Sequence, residues 1–279
     1  MLEDVIKERY QYLTHNQKRV VKQLSAYGDN AAFLTVSQLA DHLKTSGATI
    51  IRLVRSLGYK GYTDFQRELQ QSILNKVSPP QVLEKLVGGE NDRDIYSEIF
   101  EVEQQNLQKT RDLNSNQTIA RAVTAIIKAR KVLVSGFRTS SATAYLLYIL
   151  LSNIRENCQF LEYESGSRAS QLLYYDKRDL FICFSMSRYS RQVFENLILV
   201  KKRHCHTIAI TDSHLSPFAQ HADLVFLVGN QSSTYFNFWG SSVALIECLA
   251  VGASLKDKNA LPNFRKVNQM LKEWNYILL

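Results

Sequence analysis

Two hydroxyl-rich segments, residues 135–141 and 185–190, are the first places in this sequence where side chains could do chemistry. Each segment surrounds one arginine with serine or threonine hydroxyls. Hydroxyl groups, backbone N–H groups and guanidinium charges together hold phosphates and carboxylates. We therefore predict a small-anion site, although the same hydroxyls could simply cap helices. The candidate ligand-binding residues are Ser135, Gly136, Arg138, Thr139, Ser140, Ser185, Ser187, Arg188 and Ser190.

A third segment, residues 44–60, has the residue types that could bind nucleic acid. Arg52 could pair with a guanine edge or with a phosphate, since arginine can grip either one through two hydrogen bonds. The other cations are suited to phosphate contacts, which position a protein on DNA without reading sequence. The same charges could instead be ordinary solvated groups on a helical bundle. The candidate DNA-binding residues are Lys44, Ser46, Gly47, Ala48, Thr49, Arg52, Arg55 and Lys60.

The elements that would position this basic segment are short amphipathic helices. Apolar residues recur at helical spacing over 15–27, 36–43, 46–57 and 63–75. Ser46 is a favourable N-cap for the third of these helices. Two short helices joined by a turn of about four residues are typical of a helix-turn-helix, whose second helix enters the major groove. The sequence thus predicts an all-α N-terminal domain that could bind double-stranded DNA.

The hydroxyl-rich segments lie in a region where β-rich runs alternate with helix-length segments. This alternation predicts an α/β domain with a five-stranded parallel sheet covered on both faces, a three-layer αβα flavodoxin-like fold. Ligands in such folds bind beyond the carboxyl ends of the strands, where both segments are expected. The predicted strands cover 131–135, 158–162, 179–185, 205–211 and 223–228, and the predicted helices cover 117–129, 140–154, 191–203, 216–221 and 240–254.

The chain has 279 residues, which is long enough for two domains. Pro79-Pro80 interrupts the helical pattern of the first domain, and a further helix over 93–111 precedes the alternating region. We expect three parts, which are a helix-turn-helix domain over 1–77, a linker and connecting helix over 78–114, and a ligand-sensing domain with a C-terminal helix over 115–279.

Composition narrows the location and the chemistry of the protein. The formal net charge of +8 favours an anionic partner. No apolar run is long enough for a transmembrane helix, and the N-terminus lacks an apolar signal core, so we expect a cytoplasmic protein without membrane contact. The four cysteines are scattered and the histidines lack metal-ligand spacing. We therefore expect no disulfide framework, no metal and no cofactor.

Three motifs in the first domain resemble those of RpiR-type bacterial regulators. They are Leu39-Ala40, then Ser46-Gly47-Ala48-Thr49-Ile50-Ile51-Arg52, and then Leu57-Gly58-Tyr59-Lys60-Gly61-Tyr62. The resemblance implies a transcription regulator whose helix-turn-helix binds a double-stranded DNA operator. Because dimeric helix-turn-helix proteins bind paired half-sites, we also expect a homodimer or a homotetramer.

The two hydroxyl-rich segments resemble loops of the sugar isomerase (SIS) domain, which follows the helix-turn-helix in that family. Residues 136–140 match the pattern Gly-x-Gly-x-Ser, and residues 185–190 match Ser-x-Ser-Gly-x-Thr. Arg138 and Arg188 stand where these patterns have glycine, and Ser190 stands where the second has threonine. The arginines could bind the anion or fill the site. The resemblance implies that the phosphate of a phosphosugar is held by Ser140, Ser185, Ser187 and Ser190.

Three classes of function are compatible with these features. A regulator would bind a phosphosugar or another carbohydrate derivative and change its affinity for the operator. A sugar-phosphate isomerase would need a positioned general acid and base, and no pair of side chains stands out in the sequence. A domain that only dimerises would bind no ligand. The attached helix-turn-helix favours the regulator, so we expect a sensor and not an enzyme.

Overall fold

The chain folds into two units, Met1–Gly89 and Glu90–Leu279, each with its own buried core. The computed structural model describes residues 2–27, 31–32, 34–76, 79–88, 94–162, 168–237 and 239–276. None of the helices in these ranges is both long and apolar enough to cross a lipid bilayer.

The first unit is built from helices whose apolar residues recur every three or four positions. Val20 and Leu24 of the second helix are buried, as are Leu53 and Val54 further along the chain. The four helices that the sequence predicts are present. The helices are α1 (Leu2–Arg9), α2 (His15–Tyr27), α3 (Val36–His42), α4 (Gly47–Ser56), α5 (Tyr62–Lys76) and α6 (Pro79–Val87), with a 3-10 turn at Tyr10–Tyr12.

Helices α3 and α4 pack against each other across a turn at residues 43–46 and form the helix-turn-helix. Thr35 begins α3 with a capping box. Its hydroxyl accepts a hydrogen bond from the Gln38 N–H at 3.3 Å, and its own N–H donates to the Gln38 side chain at 2.8 Å. Lys44 adopts a left-handed conformation with φ 47°, which turns the chain sharply between the two helices.

The second unit contains a sheet of five parallel strands in the order β2-β1-β3-β4-β5. The predicted α/β fold with a five-stranded parallel sheet is therefore confirmed. The strands are β1 (Val132–Gly136), β2 (Cys158–Phe160), β3 (Leu180–Phe184), β4 (His206–Thr211) and β5 (Leu224–Leu227). The helices are α7 (Ile95–Leu113), α8 (Asn116–Lys128), α9 (Ser140–Ser152), α10 (Arg168–Leu173), α11 (Arg191–Lys202), α12 (Pro217–His221), α13 (Gly240–Lys256) and α14 (Ala260–Glu273).

The sheet is covered on both faces because successive side chains of each strand point in opposite directions. Val132 and Val134 of β1 pack on the layer formed by α8, α9 and α13, whereas Leu133 packs on the layer formed by α10, α11 and α12. Both layers are dense in fully buried aliphatic and aromatic residues. The unit is thus a three-layer αβα sandwich.

The structure differs from the sequence prediction in several elements. Pro79-Pro80, expected in a linker, instead begins α6, because proline at the first helical position needs no N–H partner. Helix α7, expected within a segment of linker and connecting helix over 78–114, packs against α13 inside the second unit. The short helices α1 and α10 are also additions. The division between the two units accordingly lies at Gly89–Glu90.

Candidate functional site

The candidate DNA-binding residues from Lys44 to Thr49 lie around the start of α4, whereas Arg52 and Arg55 lie further along this helix and Lys60 follows it. Ser46 is its N-cap, and its hydroxyl accepts a hydrogen bond from the Thr49 N–H at 3.2 Å. The Ser46 and Thr49 hydroxyls also lie 2.9 Å apart. A capped first turn leaves the positive end of the helix dipole in a fixed direction, which suits contact with a phosphate.

Exposure separates the candidate DNA-binding residues into two groups. Gly47 is half-buried, and Thr49 is only 8% exposed, so its side chain holds the first turn of α4 and has little surface for a ligand. The apolar stripe Ile50, Leu53 and Val54 is buried beneath. The exposed candidates, which are free to meet a partner, are Lys44, Ser46, Ala48, Arg52, Arg55 and Lys60.

The hydroxyl-rich segments follow β1 and β3, which are neighbours in the centre of the sheet. The chain leaves β1 toward β2 on one side, and β3 lies on its other side. This is the point at which strand order reverses, where doubly wound sheets leave a crevice between loops. The two segments therefore form a pair of adjacent loops, here named loop 1 (residues 137–139) and loop 2 (residues 185–190).

Loop 1 turns tightly from β1 into α9. A Cβ atom on Gly136 would lie 2.3 Å from the carbonyl oxygen of Ser140, so only glycine lets the helix approach this strand so closely. Arg138 has a left-handed φ of 55°, and its carbonyl accepts from the Ser141 hydroxyl at 2.6 Å. Arg138 and Thr139 are exposed, whereas the side chains of Ser135 and Ser140 are buried.

Loop 2 connects β3 to α11 and also contains an arginine in the left-handed conformation. Arg188 has a left-handed φ of 65°. Ser190 caps α11, with its hydroxyl accepting from the Val193 N–H at 3.3 Å, while its own N–H donates to the Ser185 hydroxyl at 3.2 Å. In both contacts the hydroxyl oxygen accepts, so the hydroxyl protons of Ser185 and Ser190 are not spent on them.

The two arginines, one on each loop, are near enough for their charges to interact. Burial lowers the pKa of Arg188 below its usual range, and the nearby charge of Arg138 lowers it further. Two guanidinium groups whose charges interact in this way repel each other while no anion lies between them. A bound anion would remove that repulsion and could accept hydrogen bonds from both.

Asp212, directly after β4, holds loop 2 in place, and sequence reasoning did not single it out. Its carboxylate accepts from the Ser187 N–H at 2.9 Å, from the Ser187 hydroxyl, and from the Tyr189 hydroxyl at 2.8 Å. Burial and this carboxylate both raise the pKa of Tyr189. Because the N–H and the hydroxyl of Ser187 both donate to Asp212, this serine fixes the shape of loop 2.

The family models match both units of the chain. A helix-turn-helix domain of the rpiR family matches residues 1–76, and a SIS domain matches residues 125–251. The chain belongs to the RpiR family of transcriptional regulators. In this RpiR-family regulator, the matched ranges include α3 and α4 and all five strands of the sheet.

Relatives of this RpiR-family protein align with it over most of their length. The Escherichia coli transcriptional regulator HexR is 24% identical over 273 residues, which are 96% of this chain and 93% of HexR. An uncharacterized HTH-type regulator of Haemophilus influenzae is 25% identical over 80% of this chain and 77% of its own.

Solved structures share the fold of this RpiR-family protein. The sugar isomerase domain of an RpiR transcription factor from Sphaerobacter thermophilus has a TM-score of 0.61 at 26% identity, covering 63% of this chain and 99% of that one. Vibrio vulnificus NanR complexed with ManNAc-6P has a TM-score of 0.71 at 19% identity, covering 97% of this chain and 98% of that one.

A separate cavity of about 590 Å³ lies at the opposite, amino-terminal edge of the sheet of this RpiR-family protein. Its lining includes Lys128, Arg178 and the buried Asp179. Ion pairs already engage part of this charge, since Arg130 contacts Asp179 at 2.6 Å and Arg178 contacts its near neighbour Asp176 at 2.6 Å. Within the described ranges, no such ion pair involves Arg138 of loop 1 or Arg188 of loop 2.

The described residues of this RpiR-family protein show neither a metal-binding cluster nor a disulfide. Across those residues, no group of three or more histidine, cysteine or acidic side chains could hold a metal ion. All four cysteines are free thiols. Burial raises the pKa of Cys158 to about 11 and that of Cys205 to about 12, so neither forms a reactive thiolate near neutral pH.

Proposed function

We propose that this RpiR-family protein binds an operator in double-stranded DNA through α4 and binds a phosphosugar or a related anionic metabolite at loops 1 and 2. Ligand binding then changes its affinity for the operator. We further propose that it acts in the cytoplasm as a homodimer or homotetramer, because paired helix-turn-helix domains bind paired half-sites.

The observation that carries the sensing half is the position of Arg138 and Arg188 on two adjacent loops at the reversal point of the sheet. Both arginines have a left-handed backbone conformation, which glycine adopts most easily. Each loop therefore keeps the conformation expected for the glycine of the family pattern and gains a positive charge. Arg138 is exposed, which favours ligand contact over a side chain that fills the site. The complex of NanR with ManNAc-6P supports a phosphosugar as the ligand class.

Sensing accounts for the whole chain better than catalysis does. Because the chain also has a helix-turn-helix, ligand binding could change its affinity for DNA directly. The relatives HexR and RpiR of Escherichia coli are named transcriptional regulators. Catalysis would need a general acid and base beside the sugar carbons. Incubation with hexose and pentose phosphates should therefore yield no isomerised product.

A direct test measures the melting temperature of the full chain with a panel of sugar phosphates. A binding sugar phosphate should raise it, because a ligand that binds only the folded state stabilises that state. Arg188→Ala should abolish the rise, while Arg191→Ala, which removes an exposed arginine three residues away, should preserve it. No rise with any anionic metabolite would contradict the sensing role.

A second test addresses the DNA-binding half of the proposal. Fragments selected from random duplex DNA should be bound by the wild type, and the stabilising metabolite should change that affinity. Arg52→Ala should relax the base preference by roughly 1–3 kcal/mol at the affected position, the worth of a two-bond guanine contact. A protein that ignores duplex DNA of any sequence at low salt would contradict the regulator role.

A further inference from the structure

Helix α7 has a buried polar stripe that faces the edge of the sheet. Asn106 and Thr110 are four residues apart and lie on one face of the helix, and Asn114, the residue that follows its last turn, continues this spacing. They are only 1%, 6% and 9% exposed. Polar groups buried to this degree destabilise a protein unless they are hydrogen-bonded, so their partners define how α7 is attached.

The partners are alternate residues of the strand edge, as they would be for a neighbouring strand. The Asn114 amide donates to the Leu227 carbonyl at 2.7 Å and accepts from the Leu227 N–H at 3.1 Å. The Asn106 amide makes the same pair with Gln231, at 2.8 and 3.0 Å. Between them, the Gly229 N–H donates to the Thr110 hydroxyl at 2.8 Å. Helix α7 thereby covers the outer edge of β5 and its extension.

A second attachment fixes α7 to the segment that follows β5. The Glu103 carboxylate accepts from the N–H groups of Trp239 and Gly240, at 3.0 and 2.9 Å, at the start of α13. A carboxylate at a helix N-terminus is favoured by the helix dipole. Residues 227–240 are therefore held by α7 at both ends.

The same segment also touches the residue that holds loop 2. Asn230 points to the other side of the extended chain from Gly229 and Gln231. Its amide donates to the Asp212 carboxylate at 3.2 Å. Asp212 in turn binds Ser187 and Tyr189 of loop 2. Loop 2 is thus connected to α7 through the hydrogen bonds of Asp212 and Asn230 and through the backbone of residues 229–231, which binds α7.

We propose that Asp212 and Asn230 couple loop 2 to helix α7, so that the two become ordered or loosened together. For its ligand, this coupling rests on the function proposed above. Arg188 lies between Ser187 and Tyr189, which both bind Asp212. An anion held by Arg188 has the same sign of charge as the Asp212 carboxylate and is repelled by it. Because this repulsion acts on the carboxylate that also binds Asn230, an anion at Arg188 changes the strength of the hydrogen bonds on both sides of Asp212, which is what coupling requires. Helix α7 is the first helix described after the DNA-binding unit.

The coupling is tested without ligand or DNA by hydrogen–deuterium exchange on the full chain. Asn230→Ala should raise exchange about fivefold in both residues 185–190 and residues 103–114, the factor expected for one ordinary hydrogen bond. Asp212→Asn should act in the same direction. The matched control is Asn263→Ala, which removes an asparagine bond from α14 to the Ile154 carbonyl and should change neither segment. An increase that stays within 227–231, or reaches only one of the two segments, overturns the proposal.

A second arm adds inorganic phosphate as the probe. Phosphate should slow exchange in both segments of the wild type, but only in residues 185–190 of Asn230→Ala. Slowing in 185–190 of the wild type without slowing in 103–114 refutes the coupling and leaves the anion site intact. If phosphate slows neither segment, the anion site is refuted, and the comparison without ligand still decides the coupling.

Discussion

At the scale of single residues, the candidate anion site depends on two arginines in an unusual backbone conformation. Arg138 and Arg188 both have φ values near +60°. For a residue with a Cβ atom, this conformation costs roughly 1–2 kcal/mol. Each loop therefore keeps a charged side chain at an energetic cost that glycine would not have, which is common where a side chain serves a function.

The Arg188→Gly variant should gain stability and lose ligand. We expect the free energy of unfolding to rise by roughly 0.5–1 kcal/mol, because relief of the left-handed strain exceeds the extra unfolded-state entropy of glycine. Affinity for a phosphate ester should fall about tenfold or more, as a charge-assisted hydrogen bond is removed. Chemical denaturation and titration calorimetry measure the two effects.

A matched control separates strain from binding in that experiment. His204 also has a left-handed conformation, with φ 61°, but lies at the exposed end of α11, away from both loops. His204→Gly should give a similar gain in stability with unchanged affinity. Equal affinity of wild type and Arg188→Gly would remove Arg188 from the site.

Sequence reasoning found these arginines but missed the carboxylate beside them. The arginines interrupt recognisable loop patterns, so local sequence was enough to single them out. Asp212 is distant in sequence from loop 2, and only the strand order brings the end of β4 beside the end of β3. The rule that functional residues follow the carboxyl ends of strands could have indicated it.

At the scale of elements, the stability of α4 depends on its N-cap, Ser46. The Ser46 hydroxyl meets the Thr49 N–H, one of four N–H groups that a helix start leaves without helical partners. Ser46→Ala should lower the free energy of unfolding of the first unit by about 1 kcal/mol and weaken DNA binding. Thermal and chemical denaturation measure the loss.

Ser37 provides the comparison for this prediction. It is an exposed serine near the start of α3, one helix earlier, and Thr35 rather than Ser37 caps that helix. Ser37→Ala should leave stability within about 0.5 kcal/mol of the wild type, as surface substitutions usually do. Equal losses from the two substitutions would show that the cap at Ser46 contributes nothing particular.

Element type was predictable wherever periodicity was long and regular. The alternation of strands and helices after residue 115 gave all five strands because a buried parallel strand is a nearly continuous apolar run. Helix α7 was predicted, but its attachment to β5 was not. Its polar stripe looks like ordinary surface in sequence, and only the sheet edge supplies partners for it.

At the scale of the whole molecule, positive charge lies on both units, so net charge alone does not identify the DNA-binding surface. Lys60 is exposed beside α4, and Lys177 is exposed on the second unit. Removing either lysine lowers the formal net charge from +8 to the same value. The two substitutions therefore separate direct phosphate contact from general attraction.

Operator affinity of Lys60→Ala and Lys177→Ala, measured by fluorescence anisotropy across a salt series, tests which unit meets DNA. Each lysine that contacts a phosphate releases about one counterion on binding. Lys60→Ala should therefore reduce the slope of log affinity against log salt by about one, whereas Lys177→Ala should preserve it. A similar change in both slopes would mean that the second unit also contacts DNA, and that α4 with its flanking lysines is only part of the binding surface.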